Sequence, residues 1–120
     1  MNDRDYQVIK KILSEINIIE ELIQGFDMES FKADEKTKRA CCMTLINIGE
    51  LVKGLTNEFK ENHNRIPWRG ISGMRDITAH KYQTLKMEDV WLTIVKEVPN
   101  LKVELNKISA KIHDNKIDQK

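Results

Sequence analysis

Residues 3–25, DRDYQVIKKILSEINIIEELIQG, carry apolar side chains at Val8, Ile9, Ile12, Leu13, Ile16, Ile19, Leu22 and Ile23. Steps of three and four place these on one side of an α-helix, the pattern of a helix with a single buried face. Gly25 supplies the stop, since glycine readily takes the left-handed conformation that closes a helix. The rhythm returns along Cys41, Leu45, Ile48, Val52, Leu55 and Phe59. That second helix is expected to start near Asp34, a suitable N-cap, with Glu35 in the first turn where negative charge meets the helix dipole. It should reach about Glu61, interrupted by Gly49 and Gly54, and Gly49 reads as a small residue that lets a neighbouring helix approach. Residues 26–33 are a connector, with Phe26 and Phe31 folded onto the core.

A polar link, Asn62-His63-Asn64-Arg65, leads to Ile66-Pro67-Trp68. Pro67 fits the first position of a short third helix, where its missing N–H costs nothing, and this helix is expected to run to about His80. Gln83 to Lys86 form a loop. A fourth helix begins at Met87 and continues through Trp91, Ile94, Val98, Leu101, Leu105, Ile108 and Ile112, with a kink or interruption at Pro99. Asn115 to Lys120 should fray. The expected fold is therefore all-α, an up-and-down four-helix bundle with one short helix. A single helical domain covers 1–114, with 115–120 as a tail.

Composition narrows the function classes. The 120 residues include 32% charged and 40% hydrophobic side chains, enough for one core and too apolar for disorder. Five glycines and two prolines are too few for a β-sandwich with a turn every ten residues or so. Twenty Lys plus Arg against nineteen Asp plus Glu give a net charge of +1, which lacks the global basic field of a bulk nucleic-acid or DNA binder. Any RNA contact must come from a local patch, such as one built by two subunits. The two cysteines, Cys41 and Cys42, are adjacent in a helical pattern and read as reduced core thiols, which fits a cytoplasmic protein. The N-terminus lacks an apolar leader core, and the longest apolar runs are too short to cross a bilayer. Neither the E-x-x-H pairs of di-iron bundles nor C-x-x-C spacing occurs, so no metal site and no cofactor is expected.

One segment stands apart: Arg75-Asp76-Ile77-Thr78-Ala79-His80-Lys81-Tyr82. A guanidinium can clamp phosphate oxygens at two points, and an imidazole exchanges protons near neutrality. This pair suits RNA transphosphorylation, in which a base activates the ribose 2′-OH, an acid protonates the leaving oxygen and a cation steadies the phosphorane. On a regular helix Asp76 falls about 40° from His80, where it can hold the imidazole, and Tyr82 falls about 20° from Arg75. From spacing alone the competing reading is an ordinary capped helix end or surface ion pair. Elsewhere, His63 reads as a solvated linker residue, His113 as part of the tail, and Trp91 as core or subunit interface. Glu50 either faces the cleft and holds Arg75 or is simply solvated.

The context sharpens this reading. Residues 66–82, IPWRGISGMRDITAHKY, together with Asp34-Glu35-Lys36-Thr37-Lys38-Arg39-Ala40 and Ile48-Gly49-Glu50, resemble the HepT-like branch of the HEPN superfamily, through R-x-x-x-x-H-x-Y preceded by G-M and I-P-W. The resemblance covers nearly the whole chain. It implies a homodimeric helical bundle acting as a metal-independent endoribonuclease, the toxin of a toxin–antitoxin pair. Arg75 and His80 would be the catalytic pair and Asp76 their support. The antitoxin implied is a minimal nucleotidyltransferase that neutralises the toxin by AMPylating the motif tyrosine, here Tyr82. Gly70 stands where an acidic residue would be expected.

Chemistry independently favours a dimer. Cleavage needs a base and an acid, yet each chain has one motif histidine. A two-fold axis beside the third helix would unite two copies of His80 and Arg75, and would gather Arg69 and Lys81 into an RNA-binding groove. Two other readings stand beside the enzyme: a non-catalytic substrate or partner-binding subunit of the nucleotidyltransferase, and a helical dimer without chemistry.

Overall fold

A computed structural model describes the backbone of residues 2–77 and 79–118, and their side chains except those of Arg75, Ala79, His80 and 112–118. Among the described residues all regular structure is helical. Helix α1, Asp3–Leu22, opens on Asn2, whose side chain accepts from the Asp5 N–H at 2.7 Å. Ile9, Ile12, Ile16 and Ile19 of its apolar face are fully buried, each stabilising the fold by about 1.5–3 kcal/mol. Gly25, at φ +83°, turns the chain beyond the helix, in the left-handed conformation its sequence position predicted.

The expected connector contains a short helix, α2 (Met28–Ala33), closed by a reciprocal cap in which Asp27 accepts from the Ser30 N–H and Ser30 Oγ accepts from the Asp27 N–H. Its Phe31 is fully buried and lies 5.1 Å from the Trp91 ring, so Trp91 packs on the core. Helix α3, Glu35–Lys53, starts as expected at the Asp34 cap, which accepts from Thr37 N at 2.9 Å. Cys41, Cys42, Leu45, Ile48 and Val52 are buried. Both thiols are reduced, and burial pushes them up to about 12 and about 11, so they stay protonated.

Gly54 caps α3 where the sequence marked an interruption, and the continuation is a separate helix, α4 (Asn57–Asn62). The start of α4 is pinned by Asp5, a carboxylate only 2% exposed. It accepts from Thr56 N at 2.9 Å and Thr56 Oγ1 at 2.6 Å, while Thr56 Oγ1 itself accepts from Phe59 N. His63, expected to be a solvated linker residue, is half-buried. Its ring lies 4.6 Å from Phe59, its carbonyl accepts from the Trp68 indole at 3.0 Å, and burial lowers its pKa.

The single helix expected from Pro67 to His80 is in fact three pieces. Helix α5, Trp68–Ser72, tightens into a 3₁₀ turn, Gly73–Asp76. Ile77 then leaves helical space at φ −72°, ψ 90°, and α6, Ala79–Tyr82, follows. The spacing explains the tightening. Trp68, Ile71, Met74 and Ile77 recur every three residues and all pack on the core. Three residues per turn keeps such a row on one face, whereas an α-helix would rotate it away by about 60° per step. Gly70 and Gly73 lower the cost of leaving the α-helix by about 1 kcal/mol each.

The last stretch begins as α7, Met87–Leu92, passes through a π-turn at Thr93–Glu97, and continues as α8, Val98–Asp118. The π-turn answers the expectation at Pro99. With Val98 N donating to Thr93 O, five residues back, the wider turn makes room for a ring that would otherwise strike the preceding carbonyl. Side chains of the expected tail from Asn115, and of His113, lie outside the described residues. Helix α1 packs on α3 and α8, α5 and the 3₁₀ turn lie against α3, and α2 bridges α3 to α7. No helix among the described residues is long and apolar enough to cross a membrane.

The buried Asp5–Thr56 pair generates a prediction. Asp5→Ala strands two donors and should lower unfolding free energy by about 3 kcal/mol. Adding Thr56→Ala to that variant should cost much less than Thr56→Ala alone. A urea-denaturation double-mutant cycle checks this, and simple additivity would rule out the coupling.

Candidate functional site

The motif segment is carried on the face of α3. Because Trp68 and Ile71 are buried and Met74 and Ile77 pack against them, the chain reaches α6 alongside the start of α3. The backbones of Arg75 and His80 belong to the 3₁₀ turn and to α6, while their side chains lie outside the described residues. Asp76 ends the 3₁₀ turn, exposed. The expected helical register between Asp76 and His80 is broken by the non-helical Ile77. The two are therefore not successive-turn neighbours on one helix, and the angular relation of Tyr82 to Arg75 lapses with it.

Tyr82 instead faces α3. Its hydroxyl donates to Glu35 Oε2 at 2.6 Å, a short charge-assisted bond across 47 positions of sequence. Glu35 is gripped from both sides, by Lys38 Nζ at 3.1 Å from Oε1 and Arg39 Nε at 2.9 Å from Oε2. The Arg39 guanidinium also lies over the Tyr82 ring, 4.8 Å from its centroid, a cation–π contact. The Tyr82 hydrogen bond, then that of Lys38, holds the Glu35 carboxyl down at about 2. Burial first, and the facing carboxylate second, pushes the Tyr82 phenol up to about 12. At neutral pH the corner therefore holds one anion, two cations and a protonated phenol.

Beside it, Arg39, Met43, Ile46, Ile77, Tyr82 and Gln83 border an open groove whose floor is partly apolar, with Met43 55% exposed. Arg69 stands on α5 beside a shallow depression lined also by Lys60, Asn64 and Trp68. Lys81 is exposed on α6, its carbonyl accepting from Thr84. Glu50 lines a third depression, between α1 and α3, with Lys11, Ser14 and Asn47. In the sequence Glu35 reads as a first-turn charge facing the helix dipole, and Glu35 and Arg39 both belong to the family-like stretch 34–40, with no role assigned beside Tyr82. Neither has a local signal, because their partner Tyr82 is brought to them by tertiary packing.

Comparison with known proteins follows this geometry. A family model described as "Ribonuclease HepT-like" matches residues 12–108, which include the whole motif segment. A candidate RNase of Caldanaerobacter subterraneus subsp. tengcongensis is 38% identical over 103 residues, covering 86% of this chain and 92% of that protein. A Thermococcus cleftensis protein named "Probable ribonuclease HepT" is 35% identical over 105 residues, covering 88% of this chain and 94% of its own. No solved structure gives a significant match.

The Glu35 corner makes a titration prediction. A depressed carboxylate favours the fold above the ordinary glutamate range, and that contribution is lost as pH falls toward 2. Because Tyr82 is the largest cause of the depression, Tyr82→Phe should move the Glu35 midpoint upward, toward 4.5. NMR of the Glu35 carboxyl checks this, and an unmoved midpoint would refute the coupling.

Proposed function

Since this chain belongs to the HepT-like ribonuclease family, we propose that it is a metal-independent endoribonuclease, the toxin of a toxin–antitoxin pair. The observation that carries this reading is the family match across residues 12–108, which contains Arg75, His80 and Tyr82 in R-x-x-x-x-H-x-Y order. In this reading two chains form a homodimer of up-and-down helical bundles and share one cleft. The His80 imidazole of one chain takes the 2′-OH proton as the O2′–P bond forms. His80 of the partner subunit gives a proton to O5′ as the P–O5′ bond breaks, leaving a 2′,3′-cyclic phosphate and a 5′-hydroxyl. Arg75 neutralises the phosphorane oxygens, Asp76 supports the pair, and Arg69 and Lys81 bind the RNA backbone. A minimal nucleotidyltransferase silences the enzyme by AMPylating Tyr82, two residues from His80, placing an anionic, bulky phosphodiester where RNA must pass.

His80→Ala and Arg75→Ala should each lower RNA cleavage by about 100-fold or more while the protein still sediments as a folded dimer. Wild type should cut with EDTA present. If wild type leaves RNA intact while Tyr82 still accepts AMP, the enzyme reading fails and the chain is the non-catalytic partner of the nucleotidyltransferase.

A further inference from the structure

The Tyr82 phenol is set against a carboxylate whose two oxygens are each held by a separate cation. We propose that Glu35 prepares Tyr82 for nucleotidyl transfer, aiming its hydroxyl at the α-phosphorus of a nucleoside triphosphate and accepting its proton as the new bond forms. Arg39 and Lys38 then supply the counter-charge for the phosphodiester. The inference rests on Tyr82 being the modified residue, as read above.

The geometry fixes the acceptor. With the hydroxyl hydrogen directed at Glu35 Oε2, the remaining lone pairs of Oη point away from the carboxylate, available to an incoming phosphorus. The Arg39 guanidinium over the ring and the two ion pairs on Glu35 restrain both partners, so little orientational freedom remains to be lost in the transition state. The corner is also reachable, for the Glu35 side chain is 55% exposed.

The proton's timing follows from the two acidities. A phenol held at about 12 beside a carboxyl held at about 2 keeps its proton at rest. As Oη bonds to phosphorus it loses basicity, and the carboxylate becomes the stronger base. The Oη–P bond forms, the bond from the α-phosphorus to the pyrophosphate oxygen breaks, pyrophosphate departs, and the proton passes to Glu35 and on to water. Charge also balances afterwards. One carboxylate between two cations leaves a single positive charge, which the phosphodiester's one negative charge neutralises, while the tyrosyl oxygen can no longer donate to Glu35. Arg39 and Lys38, still paired with Glu35, thus offer their one uncompensated positive charge to the phosphate.

The test uses the full chain, ATP and a purified minimal nucleotidyltransferase that modifies its own HepT-type partner. AMP transfer is read by intact mass, and peptide mapping locates it. Glu35→Gln keeps the side-chain shape and an acceptor oxygen but removes the charge. It should lower kcat for transfer about tenfold or more with KM for the acceptor protein unchanged, and Glu35→Asp should recover part of the loss. Circular dichroism establishes that the variants are folded. Transfer to Glu35→Gln at the wild-type rate or faster, or a loss confined to KM, overturns the role of Glu35 while leaving Tyr82 as the acceptor. A wild-type chain that takes no AMP at Tyr82 overturns the modification reading itself, and this inference with it.

Discussion

Burial against α3 is the constraint from which the arrangement of this molecule follows. One face of that helix, Cys41, Leu45, Ile48 and Val52, is closed off from water where α1 packs on it. Trp68, Ile71, Met74 and Ile77 then lay the motif segment along the same helix. Apolar burial has no direction of its own, so register comes from spacing. Keeping Met74 and Ile77 in line with Trp68 and Ile71 calls for a winding tighter than an α-helix beyond Ser72, and the consequence falls on the motif segment. The tightening ends in a break at Ile77, which separates the turn bearing Arg75 and Asp76 from the helix bearing His80 and Tyr82.

The polar devices secure what burial leaves adjustable. Asp5 holds Thr56, tying the first helix to the start of α4, and the Trp68 indole closes onto the His63 carbonyl at the entrance to the motif segment. Tyr82 reaches Glu35 at the opposite end of that segment. The segment is thus anchored at both ends while its middle follows the α3 surface. Energetically these contacts are unequal. The Asp5 bonds are buried and shielded from competition by water. The Glu35–Arg39 pair is largely exposed, so it adds little to stability, while Lys38 reaches Glu35 from a mostly buried position.

Much of the chain was legible in sequence because the signals are local. The α1 stripe, the Asp34 cap, the Gly25 stop, the break at Gly54 and the reduced cysteine pair each depend on residues within a turn or two of one another. The short α2 escaped notice because its capping box lacks an apolar stripe long enough to read. His63 looked solvated because its partners, Phe59 and Trp68, converge on it only after α4 and α5 form. The regular helix through 67–80 failed for a related reason. That expectation rested on Pro67 as a helix start and did not weigh the spacing of Trp68, Ile71, Met74 and Ile77, which the 3₁₀ turn at Gly73–Asp76 serves.

By itself, then, the sequence determined an all-helical chain and a motif whose residue types suit phosphate chemistry, since both depend on neighbours along the backbone. It also carried enough pattern to identify the family. Only the tertiary structure decided that Tyr82 turns toward α3 and meets Glu35 beneath Arg39. Those residues are dozens of positions apart, and no propensity or spacing encodes their meeting. What brings them together is the summed burial of side chains that themselves take no part in the contact.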